Sequence, residues 1–211
     1  AAHLEKPILV EGPPGVGKTE IAKVLSEVLN AQLIRLQCYE GLDENKALYE
    51  WNYQRQLIKI QMKEEDLKEE DLFDYNYLLP RPLLQGMLSD EPSVLLIDEV
   101  DKTDAEFEAF LLEVLGEFQV TIPEMGTIKA KYRPFVILTS NGERELSDAL
   151  KRRCVFLYIK SPSVEKEVKI LRTKYPELPD KLAFQVAKAV GILREKLTLQ
   201  KIPSIAETMD W

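Results

Sequence analysis

The chain has 211 residues and a net charge of −8, and 45% of its residues are apolar. This length suits one globular domain with a small addition. No apolar run approaches the length of a membrane span and no signal peptide is visible, so we expect a cytoplasmic protein without a membrane span. The acidic excess argues against a nucleic-acid partner, because phosphate contacts need clustered Lys and Arg.

The cysteine and histidine content argues against several kinds of site. Cys38 and Cys154 lie far apart in sequence and form no CxxC pair, so we expect two reduced cysteines and no zinc site. His3 is the only histidine, which argues against a His-based catalytic triad or metal site.

A glycine-rich motif near the start of the chain has the spacing of a phosphate-binding loop. It fits the pattern G-x-x-x-x-G-K-[ST] with Gly12, Pro13, Pro14, Gly15, Val16, Gly17, Lys18 and Thr19. Residues 7–10 before it predict a short buried strand. After it, apolar residues recur at helical spacing at Ile21, Val24, Leu25 and Val28. Strand, loop and helix in this order predict phosphate binding; a glycine-rich turn that fits by accident is the alternative.

Each part of this loop has an expected chemical role. Its backbone N–H groups would hold phosphates, and the dipole of the following helix would add positive potential. Lys18 would reach the β- and γ-phosphates, and the Thr19 hydroxyl would ligate Mg²⁺. Glu20, the next residue, completes the predicted nucleotide-contacting set.

The following stretch predicts a strand at 33–36 and then a polar helical segment over 40–79. The apolar side of that segment is assigned to Trp51, Tyr53, Leu57 and Ile60. The acidic run 64–74 predicts a solvated helix face, and a docking surface for a basic partner is the alternative.

A continuous apolar strand at 94–97 ends in two acids, Asp98 and Glu99. Such a strand predicts a parallel sheet covered on both faces, and ligands bind at the carboxyl ends of these strands. Downstream of a phosphate loop, we expect Asp98 to hold Mg²⁺ with the Thr19 hydroxyl and Glu99 to polarise an attacking water. Helix caps or solvated charges are the alternative. Asp101 is a competing acid, which we expect near the cap of the following helix.

That helix is predicted to begin at a capping box formed by Thr103 and Glu106. It continues in an apolar stripe at Phe107, Phe110, Leu111, Val114 and Phe118. Residues 119–122 and 127–130 flank a Pro/Gly turn and predict a hairpin.

Two further strands follow the hairpin. The first, at 135–138, ends in the polar residues Thr139, Ser140 and Asn141. The second, at 155–159, follows the basic run 151–153.

The C-terminal part predicts helices only. Ser161 would cap the first, with Pro162 at its first helical position. Apolar residues mark two helices, at Val164, Val168 and Leu171 and at Leu182, Val186, Ala189 and Leu193. Ser204 and Glu207 form a capping box for a third. The chain lacks an initiator Met and stops at Trp211, so we expect a fragment that ends within this third helix.

The order of these motifs resembles the AAA+ ATPases. The matching runs are GPPGVGKT at 12–19, VLLIDEVD at 94–101, ILTSN at 137–141 and ALKRRC at 149–154. The hairpin before ILTSN is similar to that of the MoxR-type branch. Three longer runs, at 39–57, 107–130 and 203–211, are similar to MoxR-type members associated with carbon monoxide dehydrogenase maturation.

The resemblance implies an α/β fold and a nucleotide. A P-loop AAA+ core with a five-stranded parallel sheet between helices would occupy residues 1–160, and a truncated helical lid would occupy residues 161–211. The cofactors implied are ATP and Mg²⁺. The phosphate-loop strand would lie beside the ILTSN strand, which would put Asn141 between the loop and the two acids. Asn141 would then be the sensor that orients the attacking water.

The resemblance also implies self-assembly. Family members act as rings, usually hexamers, in which an arginine finger reaches the γ-phosphate held by a neighbour. Arg153 is the best match and Arg152 is the second candidate, since a guanidinium suits charge on phosphoryl oxygens. The sequence departs from the MoxR pattern at 203–207, where a second-sensor Arg is missing. Arg194 or Arg172 could take that place.

Three functions are compatible with these motifs. The leading hypothesis is an ATP-hydrolysing, chaperone-like remodeller with a metalloenzyme client and a von Willebrand A-domain partner, as the resemblance implies. A DNA-dependent AAA+ motor or loader is the alternative, because helicase relatives share the core and a similar hairpin. The third is a nucleotide switch without hydrolysis. The presence of every residue expected for hydrolysis argues against it; these are Lys18, Thr19, Asp98, Glu99 and Asn141.

Overall fold

The computed structural model describes residues 6–62, 72–123, 125–196 and 203–210. His3 and most of the acidic run 64–74 lie outside the described residues. Within those ranges, no helix is both long enough and apolar enough to cross a membrane.

The helices and strands alternate along most of the chain. The strands are β1 (Ile8–Glu11), β2 (Gln32–Gln37), β3 (Tyr49–Trp51), β4 (Leu78–Pro80), β5 (Ser93–Asp98), β6 (Gln119–Ile122), β7 (Gly126–Lys129), β8 (Phe135–Ser140) and β9 (Val155–Tyr158). The helices are α1 (Lys18–Leu29), α2 (Glu44–Leu48), α3 (Tyr53–Gln61), α4 (Pro82–Leu88), α5 (Ala105–Glu117), α6 (Asp148–Arg153), α7 (Val164–Lys174), α8 (Asp180–Lys196) and α9 (Ile205–Asp210). A short 3-10 turn, Val100–Lys102, joins β5 to the segment before α5.

Five strands form one parallel sheet in the order β2-β5-β8-β1-β9. In register, Leu9 of β1 lies opposite Leu138 of β8, and Gln37 of β2 lies opposite Asp98 of β5. The five-stranded parallel sheet is therefore confirmed, as is the position of the phosphate-loop strand beside the ILTSN strand. Because the strands are parallel, their carboxyl ends meet at one edge, and the loop and the two acids both lie there.

Helices cover both faces of the central strands β5, β8 and β1, while three of the four residues of the edge strand β9 are exposed. On one face α1 packs over a buried core formed by Val10, Ala22, Val94, Leu96 and Ile137. On the other face, α4, α5 and α6 contribute to a larger core that also includes the hairpin β6–β7. Every residue of β5 is buried, as the apolar run predicts for a central strand.

The prediction of a helical segment over 40–79 is wrong in part. Helices α2 and α3 are present, but β3 and β4 between and after them pair antiparallel, with Trp51 opposite Leu78. Trp51 is buried, as predicted, and its ring meets those of Tyr49 and Phe73 edge to face at 5.8 and 5.2 Å. These edge-to-face contacts pack the Trp51 ring of β3 against two aromatic neighbours.

The predicted apolar side of α3 is also wrong. Tyr53, Leu57 and Ile60 are exposed by 62%, 58% and 47% of their surface. Gln56 is buried instead, and its Nε2 donates to the carbonyl oxygen of Leu72 at 2.6 Å. This hydrogen bond joins residues 16 apart in sequence, a contact that helical periodicity does not reveal.

Two helix starts differ from the prediction by one or two residues. α5 is capped by Asp104, which accepts from the backbone N–H of Phe107 at 2.8 Å, and not by Thr103. α7 is capped by Ser163, so residues 161–162 precede the helix. In each case two residues with suitable side chains lie close together, and the local backbone decides which one caps.

The helices after β9 form a separate packed group. Ser204 and Glu207 make the predicted capping box: Glu207 Oε2 accepts from the N–H of Ser204 at 2.6 Å, and Ser204 Oγ accepts from that of Glu207 at 3.4 Å. The buried side of α8 consists of Ala183, Ala187 and Val190. It is offset by one residue from the predicted stripe, whose first member, Leu182, is exposed.

Candidate active site

The glycine-rich loop connects β1 to α1 at the carboxyl edge of the sheet. Gly15 and Gly17 have φ of 71° and 90°, a left-handed backbone that glycine adopts at little cost. At Gly12 a Cβ atom would lie 2.2 Å from the carbonyl oxygen of Ile159, so only glycine fits there. The sequence therefore needs glycine at these positions to bring α1 down onto the loop, with the helix N-terminus facing the cavity.

Lys18, the first residue of α1, is buried inside the loop. Its Nζ donates to the carbonyl oxygens of Gly12 and Pro13 at 2.7 and 2.8 Å, and to Asn141 Oδ1 at 2.8 Å. Burial lowers the pKa of the ammonium, and the nearby carboxylates of Asp101 and Asp98 oppose that effect. The loop thus holds a cation on its concave side, where a phosphate would need one.

Asp98 ends β5 with its carboxylate almost fully buried. Its Oδ1 accepts from the Thr19 hydroxyl at 3.1 Å and from the Thr139 hydroxyl at 2.5 Å, and its Oδ2 accepts from Arg35 at 2.5 Å. The predicted pair of Thr19 and Asp98 is therefore in contact. Thr139 and Arg35 were missed, because only the sheet order brings β8 and β2 to either side of β5.

Glu99 follows in a left-handed conformation, with φ of 57°. Such a conformation costs a non-glycine residue about 1 to 2 kcal/mol, and here it separates the Glu99 side chain from the strand. Its Oε2 accepts from Lys102 Nζ at 2.7 Å and from Gln37 Nε2 at 3.0 Å, and its Oε1 accepts from Asn141 Nδ2 at 3.4 Å. Lys102 and Gln37 are further residues that sequence reasoning missed.

Asn141 lies between the phosphate loop and the acids, as the predicted strand order requires. Its side-chain oxygen accepts from Lys18 and its side-chain nitrogen donates to Glu99. One amide thus connects the cation that would face the phosphates with the carboxylate that would face a water.

Asp101 does not cap the following helix, contrary to prediction. Its Oδ2 accepts from the backbone N–H groups of Asn141 and Glu143, both at 3.0 Å. The cap of α5 is Asp104. Asp101 therefore belongs to the same cluster as the two acids of β5, but it contacts the backbone of the neighbouring loop.

A cavity of about 400 Å³ lies over this cluster. Residues of the loop, of the strand ends and of the C-terminal helices line it: Pro14, Gly15, Val16, Gly17, Lys18, Thr19, Glu20, Asp98, Glu99, Thr139, Asn141, Ile170, Lys174 and Met209. Gly12 and Pro13 are not among these lining residues, but their carbonyl groups bind Lys18, which is. Glu20 also forms an ion pair with Lys23 at 2.6 Å, and this hydrogen bond lowers the pKa of its carboxyl group.

Neither arginine considered as a second sensor lines this cavity. Arg172 forms an ion pair with Asp180 at 3.0 Å. Arg194 binds the buried carboxylate of Glu167 within the C-terminal helices. Lys174, at the end of α7, is the cation that these helices contribute to the cavity lining among the described residues. A basic residue in the last turn of α7 was visible in the sequence, but nothing there distinguished it from Arg172.

The two arginine-finger candidates lie at the end of α6, outside this cavity. Arg153 donates from Nη1 to the carbonyl oxygen of Leu112 in α5. Arg152 is exposed and makes no hydrogen bond or ion pair with the described part of the chain. Within one subunit, then, neither guanidinium is part of the cluster around Lys18 and Glu99.

The sheet order, the phosphate loop and the acids on the neighbouring strand define a P-loop nucleotide-binding domain. Residues 7–154 match the family described as AAA domain, dynein-related subfamily. This chain belongs to that family, which implies nucleotide binding at the loop described above.

Two curated relatives illustrate how far the similarity extends. An uncharacterized protein of Staphylococcus epidermidis is 32% identical over 163 residues, which are 74% of this chain and 56% of that protein. The Lon protease of Cytophaga hutchinsonii is 27% identical over 180 residues, which are 81% of this chain and 20% of the protease. The chain thus spans about half of one relative and about a fifth of the other.

Solved structures share the fold. A candidate ATPase from Cytophaga hutchinsonii superposes with a TM-score of 0.57 at 19% identity, covering 90% of this chain and 55% of that one. The RuvB Holliday junction branch migration motor of Thermotoga maritima gives 0.50 at 17% identity, covering 97% and 61%. The family match therefore identifies the domain, and these two structures show that its fold is shared.

Proposed function

We propose that this chain binds and hydrolyses ATP as part of a ring-forming AAA+ machine that remodels a protein client. One observation carries the proposal: Asn141 bridges Lys18 and Glu99, at 2.8 and 3.4 Å, beside the contact between Thr19 and Asp98. This arrangement supplies a phosphate-binding cation, a metal-binding pair and a general base within one hydrogen-bonded cluster.

In the binding step, the backbone N–H groups of Gly12–Thr19 and the ammonium of Lys18 would hold the phosphates. The donor set suits Mg²⁺, because the Thr19 hydroxyl and the Asp98 carboxylate are hard oxygen ligands only 3.1 Å apart. Mg²⁺ bound there would neutralise charge on the phosphate oxygens. Glu20 and the nearby loop residues would complete the nucleotide contacts.

In the hydrolytic step, Glu99 would accept a proton from the attacking water as the general base. Asn141 would orient that water through its side-chain amide, which already contacts Glu99. Lys102 and Gln37 both bind Oε2 of Glu99, so Oε1, whose contact from Asn141 measures 3.4 Å, would bind the water.

The charge on the transferred group would be neutralised by an arginine from a neighbouring subunit. We assign this role to Arg153, with Arg152 as the second candidate. Both lie at the end of α6 and away from the cavity of their own subunit, which is what a finger acting on a neighbour requires. Residues 1–160 would form the AAA+ core of each subunit and residues 161–211 the first part of its lid.

For the client we propose the MoxR-type role that the sequence resemblance implies. The assembly would be a cytoplasmic hexamer that acts, with a von Willebrand A-domain partner, on a metalloenzyme awaiting cofactor insertion. The net charge of −8 supports a protein client over a nucleic acid. The alternative, a DNA-dependent motor, is supported by the fold shared with the branch migration motor of Thermotoga maritima.

Subunit mixing tests the composite site. In full-length protein, Glu99→Gln removes the base and Arg153→Ala removes the finger, so each variant alone should lose turnover. A ring of both variants contains interfaces with an intact base and an intact finger, so an equal mixture should recover up to about a quarter of the wild-type rate. Full turnover by Arg153→Ala alone would mean that Arg152 is the finger or that the site uses none. Arg172→Ala serves as the matched arginine control.

The client is tested with the Glu99→Gln variant, which should hold ATP and trap its partners. Pull-down from the native cell should recover a metalloenzyme subunit. Recovery of DNA-bound replication or recombination proteins, with ATP turnover stimulated by DNA and steeply reduced by salt, would replace the remodelling role by the DNA motor.

A further inference from the structure

We propose that Asp101 is a positioning residue for ATP hydrolysis, which fastens the loop after β8 so that Asn141 bridges Lys18 and Glu99. The inference deepens the proposed function and depends on it for its kinetic part. Asp101 itself does not line the cavity, so it acts through Asn141 and not on the nucleotide.

The geometry is that of one buried carboxylate holding a turn. Asp101 is 3% exposed and lies in the 3-10 turn directly after β5. Its Oδ2 accepts from the N–H groups of Asn141 and Glu143, both at 3.0 Å. Between them, the N–H of Gly142 donates to Ser140 Oγ at 3.0 Å, and Gly142 has φ of 76°. Charge-assisted bonds of this kind are about twice as strong as neutral ones.

This anchor matters because Asn141 has little tolerance for displacement. Its side-chain bonds to Lys18 and Glu99 measure 2.8 and 3.4 Å, and the second is already near the limit of a hydrogen bond. A shift of the loop by about 1 Å would break that bond, and misplacement on this scale can cost about 10²-fold in rate.

The second oxygen of Asp101 makes it possible to test the loss of charge apart from the loss of the hydrogen bonds. Oδ1 is buried and has no hydrogen-bond partner among the described residues. Asp101→Asn can therefore keep an oxygen on the N–H groups of Asn141 and Glu143 while losing the negative charge. Asp101→Ala loses both. The pair of variants distinguishes an anchor for the loop from a charge acting on Lys18.

Glu108 offers a matched control in the same fold. It is 2% exposed, accepts from the backbone N–H of Ser147 at 2.9 Å and forms an ion pair with Arg144. Like Asp101 it is a buried carboxylate that holds a backbone segment, but it lies on α5 and does not touch the cluster. Because Ser147 caps α6, which carries the finger candidates, Glu108→Ala is the control for stability and hydrogen exchange and not for turnover.

The kinetic test uses full-length protein under ring-forming conditions. Asp101→Ala should lower kcat by about 10²-fold and change ATP affinity by less than about threefold, while Asp101→Asn keeps most of the rate. In an Asn141→Ala background, Asp101→Ala should add little, because both act through one amide. Additive losses, or a kcat within about threefold of the wild type in folded Asp101→Ala, would overturn the proposal.

Hydrogen exchange separates this proposal from the proposed function. The N–H groups of Asn141 and Glu143 should be protected in the wild type, exposed in Asp101→Ala and protected in Asp101→Asn. If wild-type rings do not hydrolyse ATP, the proposed function fails while this measurement still decides whether Asp101 holds the loop. Unchanged protection in a folded Asp101→Ala would overturn the anchor whatever the turnover.

Discussion

Lys18 and Asn141, which are 123 residues apart in sequence, are joined by a hydrogen bond of 2.8 Å from Nζ to Oδ1. The other two bonds of this ammonium go to the carbonyl oxygens of Gly12 and Pro13. An ammonium has three donors, so a phosphate that binds Lys18 competes with one of these acceptors. Nucleotide binding is thereby linked to the amide that also contacts Glu99.

Asn141→Ala should separate binding from turnover. The variant removes the bridge to Glu99 but leaves Lys18 its two carbonyl partners, so ATP affinity should change by less than about threefold. Loss of one preorganised amide should lower kcat by about 10²-fold or more. Steady-state kinetics together with equilibrium binding of a fluorescent ATP analogue would measure both. An equal fall in affinity and rate would reassign Asn141 to nucleotide binding.

Lys174→Ala should weaken ATP binding, because Lys174 is the basic side chain that α7 contributes to the cavity lining. We expect the affinity to fall by about three- to tenfold, as for one partly exposed charge contact. Arg172→Ala is the control, since Arg172 lies on the same helix but pairs with Asp180 and does not line the cavity. A larger effect from Arg172 than from Lys174 would contradict the assignment.

Arg35→Ala should lower the Mg²⁺ concentration needed for nucleotide binding. The guanidinium binds Asp98 Oδ2 at 2.5 Å, so it competes with a metal ion for the same carboxylate. Its half-exposed position limits the effect, and we expect a shift of about two- to fivefold. Mg²⁺ titration of nucleotide fluorescence measures the shift, and Arg35→Lys should stay near the wild-type value. A higher Mg²⁺ requirement in Arg35→Ala would mean that Arg35 supports the metal site.

The strongest sequence patterns predicted the parts of the fold that depend on local chemistry. The phosphate loop and β5 specify their own conformation, because only glycine fits at Gly12 and because the apolar run 94–97 favours a strand covered on both faces. The predicted cap of α5 was wrong, because Thr103 and Asp104 are adjacent and the side chain of either could cap the helix. The contacts of Asp101 and Arg35 depend on the order of the strands, which a local pattern does not contain.

The thiols should react slowly in the folded protein. Burial raises the pKa of Cys38 from its ordinary value of 9.0 to about 12, and that of Cys154 to about 11. At pH 8 only about one part in 10⁴ of Cys38 would be thiolate, against about a tenth for an ordinary thiol. Alkylation followed by mass spectrometry should therefore be far slower in native protein than in urea.

The raised pKa values of the two thiols also make the stability of the fold depend on pH. Because the folded pKa lies above the unfolded value, the unfolded chain ionises first, and stability should decline as pH rises above about 9. Fast alkylation of Cys38 at pH 8 in protein that remains folded would contradict this account of its burial.

The central claim is that Glu99 is the base of an ATP-hydrolysing site, and Glu99→Gln tests it most directly. The substitution keeps the size of the side chain and one of its two acceptor oxygens, but it replaces the other oxygen by an NH₂ group and removes the proton acceptor. In full-length rings, the variant should bind ATP with wild-type affinity and lose turnover by about 10³-fold or more. Undiminished turnover by this variant would contradict the account.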